Sequence, residues 1–243
     1  MLFYLIFKTY YCIICIQGGD TVASYKTSKD SKNRIIETCK ELFYLQGYTK
    51  TTYIDICKKA SSNPGLINYY FKTKQNIAAY IYGEFMSSIK VSVREYLTHH
   101  YGEYDLQYGT TLEIRIFSEL LRQDEYLRTL YYEICNIGLE YDSEVIYNFY
   151  KLHIDTYNLP FSEDEIKLIQ ATVVGAGIGI TKKMIEGYFN CDEETIFNFK
   201  IKTMYKLMNV SDERVNEILN ETAKIFDQMK FKIEDYFIFT LEM

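Results

Sequence analysis

The sequence predicts an all-α protein in which a three-helix N-terminal head with a helix-turn-helix precedes a larger helical body. The 243 residues include only 2 prolines and 12 glycines, which argues against a loop-rich or all-β chain. Apolar residues recur at helical spacing in the head and the body, and no interval after Gln75 has the alternating pattern of a strand. We place the head at residues 26–74 and the body at residues 75–243.

Residues 1–25 form an apolar lead and the start of a flexible arm, and we expect them to lie outside the fold. The apolar stretch is shorter than the roughly 20 residues that a membrane span needs, and Lys8 interrupts it. It also lacks the features of a secretory signal. Gly18-Gly19-Asp20 can be encoded as a ribosome-binding sequence, so we hypothesise that translation starts at Val22. Residues 23–32 are polar and basic and are expected to be flexible until they dock.

Cysteine and histidine usage indicates reduced thiols in a cytoplasmic protein without a metal or cofactor. The six cysteines have no disulfide-framework spacing, and Cys12 and Cys15 lack a second pair, a nearby histidine or a βαβ context. No histidine has a carboxylate or a cysteine at metal-ligand spacing. Gly175-Ala176-Gly177-Ile178-Gly179 lies within a predicted helix and follows no strand, so it does not predict a dinucleotide site. We find no catalytic motif and expect no enzymatic activity.

Charge is divided unevenly along the chain. The net charge is −6, yet residues 26–80 hold ten Lys or Arg and four acidic residues, which gives +6. Residues 81–243 therefore carry −12, because residues 1–25 are neutral overall. A basic head on an acidic body is expected when only the head contacts phosphates.

The first helix of the head is predicted at residues 33–46, after an N-cap at Ser31 or Asp30 and before a stop at Gly47. Its apolar residues recur at i, i+4, i+7 and i+8 and predict one buried face. These residues are Ile35, Cys39, Leu42 and Phe43.

The segment from Thr51 to Phe71 predicts two short helices joined by a tight turn. Thr51 or Thr52 can cap the first helix, and Asn63 can cap the second, with Pro64 at its first position. Such a pair is the DNA-binding supersecondary unit, whose second helix enters the major groove. A plain three-helix bundle without a nucleic-acid role has the same spacing and remains the alternative.

This stretch resembles the TetR family of bacterial transcriptional regulators. The matching residues are Leu42-Phe43, Gly47-Tyr48, Thr51-Thr52, Ile56, Ala60, Gly65, Ile67, Tyr70-Phe71 and Lys74. Two positions depart from the family pattern, since Asn63 stands where serine is usual and Asn68 where tyrosine is usual. The family's tyrosine at the latter position commonly contacts the DNA backbone, whereas Asn68 could read an adenine edge.

The resemblance implies six DNA contacts, drawn from seven candidate residues. The residues implied to contact phosphates are Thr51 or Thr52, Tyr69 and Lys74. The residues implied to face base edges are Pro64, Leu66 and Asn68.

The apolar pattern of the body predicts seven helices, at about residues 75–100, 106–122, 125–136, 141–158, 163–188, 193–208 and 212–230. The resemblance implies that the late helices, at about 163–230, form a four-helix interface with a second copy. Aromatic residues in the middle of the body could line a pocket for an unknown small-molecule effector, although an ordinary aromatic core fits equally well. The pocket residues that we predict are Tyr131, Tyr132, Tyr150 and His153.

The resemblance, together with the basic charge of the head, implies a homodimeric, ligand-responsive regulator, a repressor that binds a near-palindromic operator in double-stranded DNA. The alternative is a helical interaction protein with a non-specific or inactive head, which residues 1–17 could tether to a membrane. We favour the regulator and expect no membrane partner.

Overall fold

The computed structural model describes residues 22–138 and 143–243. The apolar lead at residues 1–21, with Cys12 and Cys15, and the hypothesis about its translation lie outside the described residues. Ten helices and one two-stranded sheet make up the described chain. The helices are α1 (Val22–Gln46), α2 (Tyr53–Lys59), α3 (Pro64–Phe71), α4 (Lys74–Tyr101), α5 (Leu106–Gln123), α6 (Glu125–Asn136), α7 (Ser143–Thr156), α8 (Glu163–Ile185), α9 (Glu193–Leu207) and α10 (Asp212–Phe226). The strands are β1 (Phe231–Glu234) and β2 (Ile238–Leu241).

The head is built from α1, α2 and α3, which pack around a shared set of apolar side chains. The fully buried members of this set are Ile35, Cys39, Phe43, Ile56, Ala60 and Ile67. Gly47 ends α1 with a φ of 86°, and its backbone N–H donates to the carbonyl oxygen of Phe43 at 3.1 Å. This is the C-terminal glycine that the sequence predicted.

α1 is longer than predicted, because it begins at Val22 and not near Asn33. Residues 23–32, for which a flexible arm was predicted, thus form the first turns of this helix. No glycine or proline lies between Val22 and Gln46, so nothing in this stretch interrupts a helix that starts before the expected caps. Asp30 and Ser31 are consequently interior helical residues.

The seven body helices are all present, with ends that differ from the prediction by a few residues. They pack in two hydrophobic clusters. The first cluster joins the head to α4, α5, α6 and the two strands, and includes Ile81, Phe85 and Ile116. The second cluster joins α7, α8, α9 and α10 and includes Ile166, Phe197 and Ile218.

The strands correct the prediction that no interval after Gln75 forms a sheet. β1 and β2 pair antiparallel, with Phe231 opposite Leu241 and Glu234 opposite Ile238. The turn between them, residues 235–237, contains no glycine, proline or asparagine. The usual hairpin signal is thus absent from the sequence.

α8 is the helix in the described ranges that is long and apolar enough to cross a membrane by length and composition alone. Only 11% of its most apolar window is buried within the chain. Its inner face is anchored by Ile166, Ile169 and Thr181, which are buried. Its opposite face lies open.

Candidate nucleic-acid interface

The start of α2 is fixed by a reciprocal cap between Thr52 and Asp55. The backbone N–H of Asp55 donates to the Thr52 hydroxyl oxygen at 3.2 Å, and the Thr52 N–H donates to the Asp55 carboxylate at 2.9 Å. The Thr52 hydroxyl also donates to the Asp55 carboxylate at 2.7 Å, and this bond, followed by the one from the Thr52 N–H, stabilises the charged carboxylate and lowers the pKa of Asp55. Thr52 remains exposed at the surface of the head.

α3 presents one buried and one exposed face. Ile67 and Phe71 are buried in the head, whereas Asn68 and Tyr69 are exposed, the latter with 63% of its surface accessible. Such a helix is held in place by its inner face while its outer face remains open to a partner.

The N-terminus of α3 is capped as the sequence predicted. The side chain of Asn63 accepts a hydrogen bond from the N–H of Leu66 at 3.0 Å, and Pro64 occupies the first turn. Pro64 is exposed, but Leu66 is half-buried and packs against the first cluster. Of the three residues predicted to face base edges, Pro64 and Asn68 are thus exposed, whereas part of the Leu66 side chain is buried by packing within the protein.

Thr51 is a buried structural residue, with 1% of its surface accessible. Its hydroxyl donates to the carbonyl oxygen of Gly47 at 2.7 Å and accepts from the side chain of Gln46 at 3.2 Å. It therefore closes the loop between α1 and α2. Of the predicted pair Thr51 or Thr52, the structure leaves Thr52 accessible to a phosphate.

Lys74, for which a phosphate contact was predicted, points its ammonium group into the head. Its ammonium group donates to the carbonyl oxygens of Tyr48 at 2.8 Å and Thr51 at 2.7 Å, and lies 4.1 Å from the centre of the Tyr48 ring. Burial lowers the pKa of Lys74. Carbonyl groups of the α1–α2 loop have no helical partners, so this lysine satisfies them and ties the loop to the start of α4.

Other exposed lysines supply positive charge to the head. Lys50 precedes α2, Lys58 lies in its last turn, and Lys72 caps the C-terminus of α3. All three contribute to the predicted positive charge of the head, but no DNA contact was predicted for any of them. Lys59 is neutralised in part by Glu41, at 2.5 Å.

The four predicted pocket residues do not share one site. Tyr131 is buried in the first cluster, with its ring centre 5.1 Å from that of Phe117. Tyr150 is buried in the second cluster. The hydroxyl of Tyr132 donates to Glu186 at the surface, at 3.0 Å. For Tyr131 and Tyr150 the structure therefore favours the alternative, an aromatic core.

His153 is buried, and both ring nitrogens have partners. Nε2 lies 3.2 Å from the hydroxyl of Thr110, and Nδ1 lies 3.1 Å from the carbonyl oxygen of Phe149. Burial lowers the pKa of His153 to about 4. The ring is therefore neutral at physiological pH and links α7 to α5.

Among residues 22–138 and 143–243 there is no group of three or more His, Cys, Asp or Glu side chains that could hold a metal ion. A capped pair of short helices, the second exposed on its outer face and both mounted on a helical body, defines a protein of the helix-turn-helix class.

Comparison with known proteins agrees with this class. Residues 35–81 match the family model described as bacterial regulatory proteins, tetR family. The chain is 25% identical over 194 residues to the HTH-type transcriptional regulator QacR of Staphylococcus aureus, a match that covers 74% of this chain and 95% of QacR. These two matches support the TetR family of transcriptional regulators for this chain.

Solved structures share the fold at low sequence identity. RolR in complex with resorcinol superposes with a TM-score of 0.58 at 12% identity, covering 80% of this chain and 95% of RolR. A TetR transcriptional regulator from Rhodococcus sp. RHA1 superposes with a TM-score of 0.52 at 13% identity, covering 75% of this chain and 98% of its own. These likenesses concern the all-α architecture alone.

Proposed function

We propose that this chain acts in the cytoplasm as a homodimeric repressor that binds a near-palindromic operator in double-stranded DNA and is released from it by a small-molecule effector. The observation that carries the proposal is the outer face of α3. Asn68 and Tyr69 are exposed there, while Ile67 and Phe71 hold the helix in the head. Residues on such a face can enter the major groove without unfolding the head.

Contacts to DNA divide into two groups in this proposal. Pro64 and Asn68 face base edges, and Leu66 contributes only the part of its side chain that packing leaves free. Thr52 and Tyr69 contact phosphates. Lys74 contributes indirectly, because it holds the loop that precedes α2.

Exposed lysines of the head add a sequence-independent attraction. Lys50, Lys58 and Lys72 can neutralise phosphates and release counterions. Binding should therefore weaken steeply as salt concentration rises. The acidic body would be repelled by DNA and so favours approach by the head.

The open face of α8 supports the proposal of a homodimer. Its exposed residues are Leu168, Ala171, Thr172, Gly175 and Gly179, and Phe199 of α9 is also exposed. Small residues let a second helix approach closely, and a large side chain such as Leu168, 67% exposed, is stabilised when a partner covers it. We do not assign α8 to a membrane, because its inner face packs into the body. We assign the open face to a second copy of this chain.

Two copies allow regulation by an effector. Two α3 helices must lie about 34–36 Å apart to reach successive major grooves. A small molecule that binds the body better in one arrangement of the heads than in another shifts the population toward it. RolR, a relative in fold, was solved in complex with resorcinol, and we extend the principle of a small-molecule effector to this chain.

A mobility-shift assay on the DNA just upstream of this chain's own gene tests DNA binding. We expect a specific shift at low salt that Tyr69→Ala abolishes without unfolding the protein. Tyr101→Ala, which removes an exposed tyrosine of the body, is the matched control and should bind as the wild type does. A folded dimer with no specific shift would contradict the proposal and favour a non-specific or inactive head.

Light scattering on Gly175→Arg tests the dimer. Arginine on the open face of α8 should convert the dimer into a monomer, because its charge would be buried without a partner. Glu95→Arg, on the exposed side of α4, carries the same new side chain and should remain dimeric. A dimeric Gly175→Arg protein would remove this face from the interface.

A further inference from the structure

The C-terminal hairpin, formed by β1, the turn at residues 235–237 and β2, inserts its turn between the head and the body. Phe237 is 6% exposed. Its ring centre lies 5.3 Å from that of Tyr44 in α1 and 5.8 Å from that of Phe85 in α4. One side chain of the hairpin therefore touches both the first helix of the head and the helix that links head to body.

Tyr44, in the head, contacts several residues that lie outside the head. The ring of Tyr236 lies 5.9 Å away, and the ring of Tyr126, in the first turn of α6, lies 5.2 Å away. The hydroxyl of Tyr44 donates a hydrogen bond to Asp124. Aromatic pairs at these distances add to the energy of burial and also restrict the angle between their elements.

The hairpin is itself held firmly against the body. The backbone N–H of Glu242 donates to the carbonyl oxygen of Lys230 at 2.9 Å and closes the open end of the hairpin. Phe239 of β2 is 7% exposed and packs in the first cluster, and the ring of Phe231 in β1 lies 5.6 Å from that of Phe226 in α10. Because the hairpin is anchored to the body in this way, its turn can hold Tyr44, and with it α1, in a fixed position relative to the body.

The turn adopts a conformation that ordinary residues rarely take. Asp235, Tyr236 and Phe237 have φ angles of 23°, 48° and 73°. Such angles persist only when the surrounding structure imposes them. Here the burial of Phe237 and the pairing of the strands on either side impose them, and the result is to aim two aromatic rings at Tyr44.

We propose that the hairpin is a positioning element for DNA binding, in which Phe237 and Tyr236 fix the angle of the head on the body and so fix the half-site spacing that the dimer accepts. The inference rests on the proposed function. Neither residue lies on the exposed face of α3, so neither needs to touch DNA. Loss of the contact with Tyr44 leaves the base-reading residues intact but lets each head tilt.

The test is a spacing profile. Duplexes that bind the wild-type protein are first selected from random DNA, and the half-sites of the tightest duplex are then moved apart or together by one and two base pairs. Each added base pair rotates and shifts one half-site, so the wild type should lose about tenfold in affinity for the first step, comparable with a mismatch. Phe237→Ala should bind the original duplex more weakly and the altered duplexes relatively better, which flattens the profile.

Controls separate positioning from mere destabilisation. A variant that is only less stable loses the same factor on every spacing, so its profile keeps the wild-type shape. Phe237→Leu, which refills the buried site, should restore the steep profile, and Lys232→Ala, on the exposed side of β1, should leave it unchanged. Tyr236→Ala removes a half-buried ring and serves where Phe237→Ala does not fold.

The outcomes distinguish the two proposals. Steep, parallel profiles for folded Phe237→Ala or Tyr236→Ala would overturn the positioning role of the hairpin while leaving DNA binding in place. Failure to select any duplex with the folded wild type would instead contradict the proposed function. A flattened profile restored by Phe237→Leu would establish that the hairpin sets the head angle.

Discussion

The carboxylate of Asp124 joins the head to the body, because it accepts one hydrogen bond from Tyr44 and another from the first turn of α6. The hydroxyl of Tyr44 in α1 donates to one oxygen of Asp124. The other oxygen accepts from the backbone N–H of Leu127 at 2.8 Å and thereby caps α6. The position of α1 is therefore tied directly to the first turn of a body helix.

Removal of that hydroxyl should weaken the whole protein. Tyr44→Phe keeps the ring contacts but leaves one carboxylate oxygen without its donor, so we expect a loss of about 1–3 kcal/mol in the free energy of unfolding, as for hydrogen bonds to charged groups. Urea unfolding at pH 7 measures it. Tyr126→Phe, the neighbouring ring of α6, is the control and should change the free energy little. Equal values for the two variants would contradict the role of the hydrogen bond.

The same variant should alter the alkaline stability. Burial and then the hydrogen bond to Asp124 raise the pKa of Tyr44. The folded state thus holds this proton more tightly than the unfolded state, so the stabilisation is complete below about pH 10 and is lost as pH rises above it. The free energy of unfolding of the wild type should therefore fall more steeply above pH 10 than that of Tyr44→Phe.

The parts of the head that were predictable from sequence are those governed by local chemistry. Asn63, Pro64 and Gly47 have the functions expected of a cap, a first helical residue and a helix stop, because each acts within a few residues of itself. Lys74 was placed on the surface because the carbonyl groups that it binds belong to residues 23 and 26 positions earlier in the chain. Only the folded head brings them together.

The body shows the same division. Helix periodicity predicted all seven helices, but it carries no information on which helix faces which. Tyr131 and Tyr150 were therefore grouped in one pocket, whereas the structure buries them in different clusters. The hairpin was missed because its turn at residues 235–237 has no glycine, proline or asparagine and is stabilised by tertiary contacts of Phe237.

Gly47 should tolerate substitution less well than another helix-ending glycine. Gly47 has a φ of 86°, and a Cβ atom there would lie 2.8 Å from a carboxylate oxygen of Glu133 in α6. Gly102 has a φ of 77°, with nothing within 4 Å of the same atom. Gly102→Ala should therefore cost about 1–2 kcal/mol for the left-handed backbone alone, and Gly47→Ala should cost more.

Glu133→Ala supplies the test of this difference. It removes the close contact, so the extra cost of Gly47→Ala over Gly102→Ala should shrink in its background. Urea unfolding of Gly47→Ala and Gly102→Ala, each with and without Glu133→Ala, measures the coupling between Gly47 and Glu133. An unchanged difference would mean that the Glu133 carboxylate moves aside at no cost.

Lys74 should stabilise the head and not bind phosphate. Lys74→Met keeps the aliphatic chain but leaves the carbonyl oxygens of Tyr48 and Thr51 without this donor, so we expect a loss of about 1–3 kcal/mol in the free energy of unfolding. Lys72→Met removes an exposed charge and should leave stability unchanged. A titration of salt against DNA affinity completes the comparison, because only Lys72→Met should reduce the salt slope.

His153 should make the protein sensitive to mild acid. Its pKa is lowered to about 4 in the folded state, from an ordinary 6.5. The unfolded state therefore takes up the proton first as pH falls below 6.5, and at pH 5 the wild type should have lost about 2 kcal/mol relative to pH 7.5. His153→Gln should lack this part of the pH dependence, whereas His99→Gln, which alters an exposed histidine, should retain it. Parallel pH profiles for the three proteins would refute the assignment.

Asn68 is the residue whose substitution should change the sequence preference of the head more than its affinity. It lies exposed on the second turn of α3, where a side-chain amide can both donate to and accept from one adenine. In duplexes selected from random DNA, Asn68→Ala should lose about 1–3 kcal/mol of discrimination at one base pair of each half-site, with binding to non-specific DNA unchanged. Tyr69→Phe, the control on the adjacent exposed residue, lacks a hydroxyl that we assign to a phosphate and should weaken all duplexes by a similar factor. These two effects differ in kind. If Asn68→Ala instead lost the same factor in affinity for every duplex, Asn68 would contact the DNA backbone, as the family's tyrosine does, and would read no base.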